Sequence, residues 1–251
     1  MASWPKLLWV VRHGQSAGNV ARDAAEAARL ARIDIATRDM DVPLSDLGRR
    51  QARALGLWFA RPAAERPEVI LCSPYVRARE TADIVARSAG WGKIKVRVDE
   101  RLREKEFGIL DRLTRYGITE KHPELAEQRG HVGKFYFRPP GGESWCDVIL
   151  RLRSAMEMAT REYAGRNVLI VAHQVTVNCL RYLLEQMDEA QILAIDRAGD
   201  IPNCAVTSYR AHQHEEEDVV MRLELVNFVA PLEQSGAPVT AEPDQAAAPG
   251  A

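Results

Sequence analysis

The sequence predicts an α/β protein, a three-layer α/β/α sandwich built on a mostly parallel central sheet with a small lid insertion. Three observations carry that expectation. Apolar runs of strand length stand at 7–11, 68–72 and 166–172. Their cores are continuously aliphatic rather than alternating, as in strands buried on both faces of a parallel sheet. Each run is followed by a stretch with helical spacing of apolar residues, the order that crossover connections require.

Composition narrows the setting. With 251 residues the chain can bury one large core. Charged residues make up 27% and the formal net charge is -1, so there is no general attraction to nucleic acid or anionic membrane. The four cysteines are widely spaced without a C-x-x-C pair, and apolar neighbours around three of them suggest buried, reduced thiols. The run at 7–11 is too short for a signal peptide, and no run reaches the length of a membrane span. The expectation is a soluble, cytoplasmic protein with no nucleic-acid and no membrane partner.

The first run stops at Arg12-His13-Gly14. In open α/β sheets ligands sit beyond the carboxyl ends of the strands, so these residues are candidates. Arg12 offers a charged fork for phosphate or carboxylate, and His13 can be a nucleophile or an acid/base. Gly14 permits close backbone approach. Alone, such a tripeptide is usually just a loop. Residues 21–38 read as a helical or mobile surface excursion with no assigned role. Ser45 should cap a helix with Leu47, Leu55, Trp58 and Phe59 on its apolar face.

The second run ends at Ser73-Pro74, expected to be an N-cap and first helical residue of a helix running to about Ser88. Arg77 then lies in the first turn, where free N–H groups favour an anion. Arg79 reads as a solvated charge paired by spacing with Asp83. A short edge strand is expected at 93–98, and the charge run 99–108 is mostly a solvated face. A lid should occupy about 105–145, with 109–137 as its body. Ser144 should cap an amphipathic helix over 145–163.

The third run ends at His173-Gln174, before a helix expected from about 176 to 187 with Val177, Leu180, Leu183, Leu184 and Met187 facing inward. A further helix is expected over 188–198. Segments 204–211 and 219–229 alternate and predict a β-hairpin; the His/Glu cluster in its loop, 212–218, reads as a solvated turn rather than a metal site. From 230 on, Pro, Ala, Gly and Gln dominate. The chain therefore divides into one domain, 1–229, and a tail, 230–251, expected to be disordered.

Three buried strands thus end in Arg12-His13, in Ser73 with Arg77 one turn on, and in His173. Two arginine forks around one position suit a tetrahedral dianion. A histidine beside it can attack phosphorus while the arginines neutralise the non-bridging oxygens. A metal fits less well, because the arginines repel a cation and no carboxylate stands at ligand spacing from either histidine.

Val11-Arg12-His13-Gly14-Gln15-Ser16 with Asn19, then Ser73-Pro74-x-x-Arg77-Ala78-x-x-Thr81-Ala82, then Leu102-Arg103-Glu104-Lys105-Glu106-Phe107-Gly108, then Ala172-His173 resemble the histidine phosphatase superfamily, the phosphoglycerate mutase-like fold. The resemblance implies that His13 is the nucleophile that becomes phosphohistidine. It implies a phosphate pocket of Arg12, Arg77 and His173, with Asn19 and Ser16 as further contacts. Glu104 would be the proton donor, and the resemblance alone selects it from the charge run. Gln174 stands where many members have Gly, and its side chain can narrow the pocket or add a substrate contact. The segment between Glu104 and His173 is shorter than in glycolytic mutases, and their Thr-Gly-Trp run is missing. The implied activity is therefore a phosphomonoester hydrolase acting on a small phosphorylated metabolite, with no metal and no cofactor. A phosphoglycerate-type phosphomutase is the alternative. A catalytically weak phospho-ligand binding module is the alternative of another class, although a pure binder has no use for a nucleophile plus an acid. A homodimer is the one macromolecular association expected.

Overall fold

The computed structural model describes residues 4–62, 64–213 and 219–241. Among them six strands form one sheet: β1 (Leu7–Arg12), β2 (Val69–Cys72), β3 (Lys95–Val98), β4 (Asn167–Ala172), β5 (Val206–Gln213) and β6 (Val219–Phe228). Their order is β3-β2-β4-β1-β5-β6. The first four of that order run parallel, β5 is antiparallel to β1, and β6 closes the hairpin. The register decides where the site lies. Arg12 pairs with Ala172 and Cys72 with Val171, so the residues after all three buried strands emerge level at one sheet edge.

Side chains on β1 alternate between two cores, as the period of a strand requires. Leu8 and Val10 face the layer of α6 (Trp145–Glu162) and α7 (Gln174–Leu184), meeting Val148, Leu152 and Leu180. Leu7, Trp9 and Val11 face α2 (Asp46–Phe59) and α3 (Val76–Ser88), where Trp9 meets the Phe59 ring edge-on at 5.5 Å. Burying each large apolar side chain contributes roughly 1.5–3 kcal/mol, so both helical layers are fixed to the strand that carries Arg12 and His13.

Local signals place the helix starts. Ser45 accepts from the Gly48 amide at 3.0 Å. Ser144 and Asp147 form a capping box on α6. Asp188 and Gln191 do the same for α8 (Glu189–Ala198). Three starts differ from expectation. Ser16 and Asn19 form a capping box, so α1 (Ala17–Ala27) begins directly after Arg12-His13-Gly14-Gln15, and 28–45 is loop apart from a 3₁₀ turn at Asp39–Asp41. The Ser73-Pro74 pair turns the chain two residues before α3, whose N-cap residue is Tyr75. In α7 the helix starts at Gln174, immediately after His173. Arg79 is exposed, but Asp83 pairs with Arg87.

The lid carries α4 (Arg115–Lys121) and α5 (Pro123–Val132), and Leu110, Leu113, Ile118 and Phe137 form its own small core. It is stitched to the loop before it in sequence: Ile33 N donates to Arg112 O at 2.9 Å, and Arg112 donates to the Ile35 and Thr37 carbonyls at 3.0 Å.

The expectation for the tail is corrected. Residues after 229 continue as α9 (Ala230–Ser235), which buries Leu232 against the α2 layer, and Pro238 and Thr240 reach Gln51 and Asn203. Composition missed this because one buried leucine, Leu232, and polar partners elsewhere in the chain fasten a segment of low overall apolar content. Residues 242–251 lie outside the described residues, as do His214-Glu215-Glu216-Glu217-Asp218 of the hairpin loop. Cys72, Cys179 and Cys204 are buried, Cys146 is half-buried, and all four are unbonded. Burial pushes the Cys72 thiol up to about 12, far from the thiolate form that reacts. Among the described residues no helix is long and apolar enough to cross a membrane.

Candidate active site

The site begins where β1 and β4 end. Arg12, His13 and His173 are fully buried there, and the two imidazoles meet edge-to-face with centroids 5.1 Å apart. His13 Nδ1 lies 2.7 Å from the Gly14 carbonyl. A carbonyl can only accept, so Nδ1 carries the proton and Nε2 of the neutral ring presents its lone pair. That lone pair receives Nε–H of Arg77 at 3.3 Å. The ring is therefore held in the tautomer and orientation that a nucleophilic Nε2 needs.

Arg77 sits in the first turn of α3, as its spacing predicts, and is held on three sides. His13 takes one edge. The Tyr75 ring lies under the guanidinium, 4.9 Å from centroid to Cζ. Asp39, in a 3₁₀ turn over Asp39–Asp41, accepts through its carbonyl at 2.6 Å and its carboxylate at 3.0 and 3.1 Å. Arg12 donates to the Ile201 carbonyl. His173 Nε2 is 2.7 Å from Ser73 Oγ, which also accepts from the Tyr75 amide at 3.2 Å. The Ser73 hydroxyl thus orients His173 rather than capping α3.

The turn that presents His13 is fixed by backbone packing. The Gly14 amide donates to Thr81 Oγ1 at 3.1 Å, and that hydroxyl donates to the Arg77 carbonyl at 2.7 Å. A Cβ on Gly48 would stand 1.9 Å from the Gln15 carbonyl oxygen, so only glycine allows α2 to approach the turn this closely.

In front of Arg77 opens a cleft of about 80 Å³, room for several water-sized groups. Ser16, Asn19, Arg22, Asp39, Arg77 and Glu104 are among its polar lining, with Ile33, Ile35, Phe107, Leu110 and Leu113 as apolar wall. Glu104 is 1% exposed, and its Oε1 accepts from the Lys105 amide at 2.7 Å. Lys105 beside it is buried over the Phe107 ring, and loss of hydration lowers its ammonium to about 8. Asp111, on the lid side of the cleft, is pushed up by burial and then by the Asp39 charge.

His13, Arg77 and His173 thus come together with Arg12 emerging at the same sheet edge, and Glu104, Ser16 and Asn19 line a cleft with Arg77 that Arg12, His13 and His173 do not line. The Ser16 hydroxyl also caps α1, accepting from the Asn19 amide at 3.1 Å and donating to Asn19 Oδ1 at 2.9 Å. The Gln174 side-chain amide donates to Asp200. Glu106 does not simply face solvent, because it accepts from the Tyr75 hydroxyl at 3.0 Å. Sequence reasoning missed Asp39, Ile33 and Ile35. The alternation Ile33-Asp34-Ile35 inside a polar stretch is the signal of an extended segment with one buried face that could have found them. Among the described residues no three His, Cys, Asp or Glu side chains gather as metal ligands.

The sequence profile of the histidine phosphatase superfamily (branch 1) matches residues 8–223. A 2,3-bisphosphoglycerate-dependent phosphoglycerate mutase 2 of Gloeobacter violaceus is 32% identical over 199 residues, 78% of this chain and 83% of the relative. Among solved structures, a mycobacterial glucosyl-3-phosphoglycerate phosphatase superposes with a TM-score of 0.68 at 29% identity, covering 89% of this chain and 99% of that one. YhfR of Bacillus stearothermophilus gives 0.70 at 26% identity, covering 90% and 98%.

Proposed function

Since the chain belongs to the histidine phosphatase superfamily (branch 1), we propose that it hydrolyses a small phosphorylated metabolite in two steps through a phosphohistidine at His13, without a metal. The observation that carries this reading is the Nδ1–H bond from His13 to the Gly14 carbonyl, which turns the Nε2 lone pair toward Arg77. In the first step Nε2 attacks phosphorus and the bond to the ester oxygen breaks. Arg12, Arg77 and His173 stabilise the charge spread over the non-bridging oxygens. Glu104 delivers a proton to the leaving oxygen. In the second step water attacks the phosphohistidine, Glu104 takes its proton, and His13 is restored. A cytoplasmic setting suits four unbonded cysteines.

Rapid quench with a labelled phosphomonoester should trap an acid-labile, base-stable phosphoryl group, absent in His13→Ala, and turnover should persist in chelator. Turnover by a competent substrate with no such adduct under burst conditions would overturn the covalent route. Similarity to phosphoglycerate mutases favours transfer to an acceptor as the second reading. The same label separates the two, reaching water in a phosphatase and an organic acceptor in a mutase.

A further inference from the structure

We propose that Thr240 is a positioning residue for the nucleophile, closing a ring of hydrogen bonds that grips both ends of the His13-Gly14-Gln15 turn. The proposal rests on the reading of His13 as nucleophile. At one end of the turn the Asn203 side-chain amide donates to the His13 carbonyl at 3.0 Å. At the other, the Gln15 amide donates to Gln51 Oε1 at 2.9 Å. The two ends are joined by one hydroxyl: Thr240 Oγ1 donates to Asn203 Oδ1 and accepts from Gln51 Nε2, both at 2.9 Å. Bonds to two backbone carbonyls fix the hydroxyl in place, from Asn203 N to Thr240 O at 2.8 Å and from Gln51 Nε2 to Pro238 O at 3.0 Å. Gln51 and Asn203 are fully buried, where an amide left unpaired costs more than its bond contributes.

The ring dictates what each amide must do. The His13 carbonyl can only accept, so Asn203 has to turn its NH₂ toward it, and its oxygen then needs a donor. Thr240 is that donor. Without the hydroxyl, Asn203 keeps its NH₂ on the His13 carbonyl only by leaving its buried oxygen without that donor, and a flipped amide would set oxygen against oxygen, so either response loosens the grip on the turn. The turn would then drift while Arg77, on α3, stays where it is. A loss in the chemical step with little change in substrate binding is the signature of such a shift.

Thr240→Val, which keeps shape and removes the hydroxyl, should lower kcat roughly tenfold and leave KM within about twofold. Thr240→Ser should restore kcat. Hydrogen exchange at the Gln15 amide should speed up roughly tenfold in the valine variant, and this is read without any turnover. Wild-type kcat together with unchanged exchange in Thr240→Val would overturn the proposal. So would a loss shared equally by kcat, KM and the unfolding midpoint that serine does not repair, since that is a merely structural role. If the wild-type protein hydrolyses no phosphomonoester, the proposed function fails, and the exchange comparison still decides the ring.

Discussion

Gly48→Ala tests whether the site depends on how closely α2 approaches the nucleophile turn. The new Cβ would lie 1.9 Å from the Gln15 carbonyl oxygen, against the 3.0 Å below which real Cβ atoms are not found, so something must move by about 1.1 Å. Two effects oppose each other. Alanine gains up to about 1 kcal/mol over glycine in a helix, whereas overpacking two backbones costs roughly 1–3 kcal/mol. The clash is with main chain rather than a flexible side-chain end, so the cost wins. The unfolding midpoint should fall by about 2–4 °C for each kcal/mol of net loss. His13 is two residues from the displaced carbonyl, and a displacement near 1 Å is worth about 10²-fold in rate. The assay is kcat/KM on an aryl phosphate beside thermal unfolding. Gly130→Ala, in α5 with nothing within 4 Å of its Cβ, is the control for helix propensity alone. A Gly48→Ala protein with wild-type activity and midpoint would refute the reasoning. A lower midpoint with full activity would show that α2 yields instead of the turn.

Glu104→Gln should slow an alkyl phosphate by roughly 10²-fold or more, within the range of general acids. It should affect p-nitrophenyl phosphate much less, because that leaving group needs no proton. If Glu106→Gln is the variant that shows this split, Glu106 is the acid. Asp39→Ala should strengthen inhibition by inorganic phosphate, since Asp39 now holds the Arg77 fork that an entering anion needs. Asp39 is 44% exposed, which limits the pair to about 1 kcal/mol, or roughly fivefold in the inhibition constant. Weaker inhibition would mean that Asp39 orients Arg77 rather than competing for it.

The parts of the site that follow strands were legible because a continuous apolar run that stops at a charged residue marks both the strand and its carboxyl end. Arg12, His13 and His173 could be placed that way, and Arg77 followed from first-turn spacing. Glu104 could not: nothing local separates it from Glu100 or Glu106, and only the motif singled it out. The start of α3 was misplaced because a Ser-Pro pair serves equally well as a cap or as a turn before the helix. Asp39 was hidden because its role depends on a contact with Arg77, 38 positions away. Thr240 was hidden more deeply, in a segment of low apolar content held by Leu232 and by contacts with the distant Gln51 and Asn203.

The central place of β1 bears on how the chain is made. Both neighbours of this strand, β4 and β5, lie far downstream, and the nearer begins at Asn167. At about 5–20 residues per second, ribosomal synthesis of the intervening stretch of about 150 residues takes roughly 8–30 s. Through that interval five apolar residues wait with both strand edges unpaired, the condition in which nascent chains associate with one another. The pace of elongation between Arg12 and Asn167 therefore sets how long that strand waits unpaired, and His13 is among the first residues translated and among the last to be enclosed by its sheet neighbours.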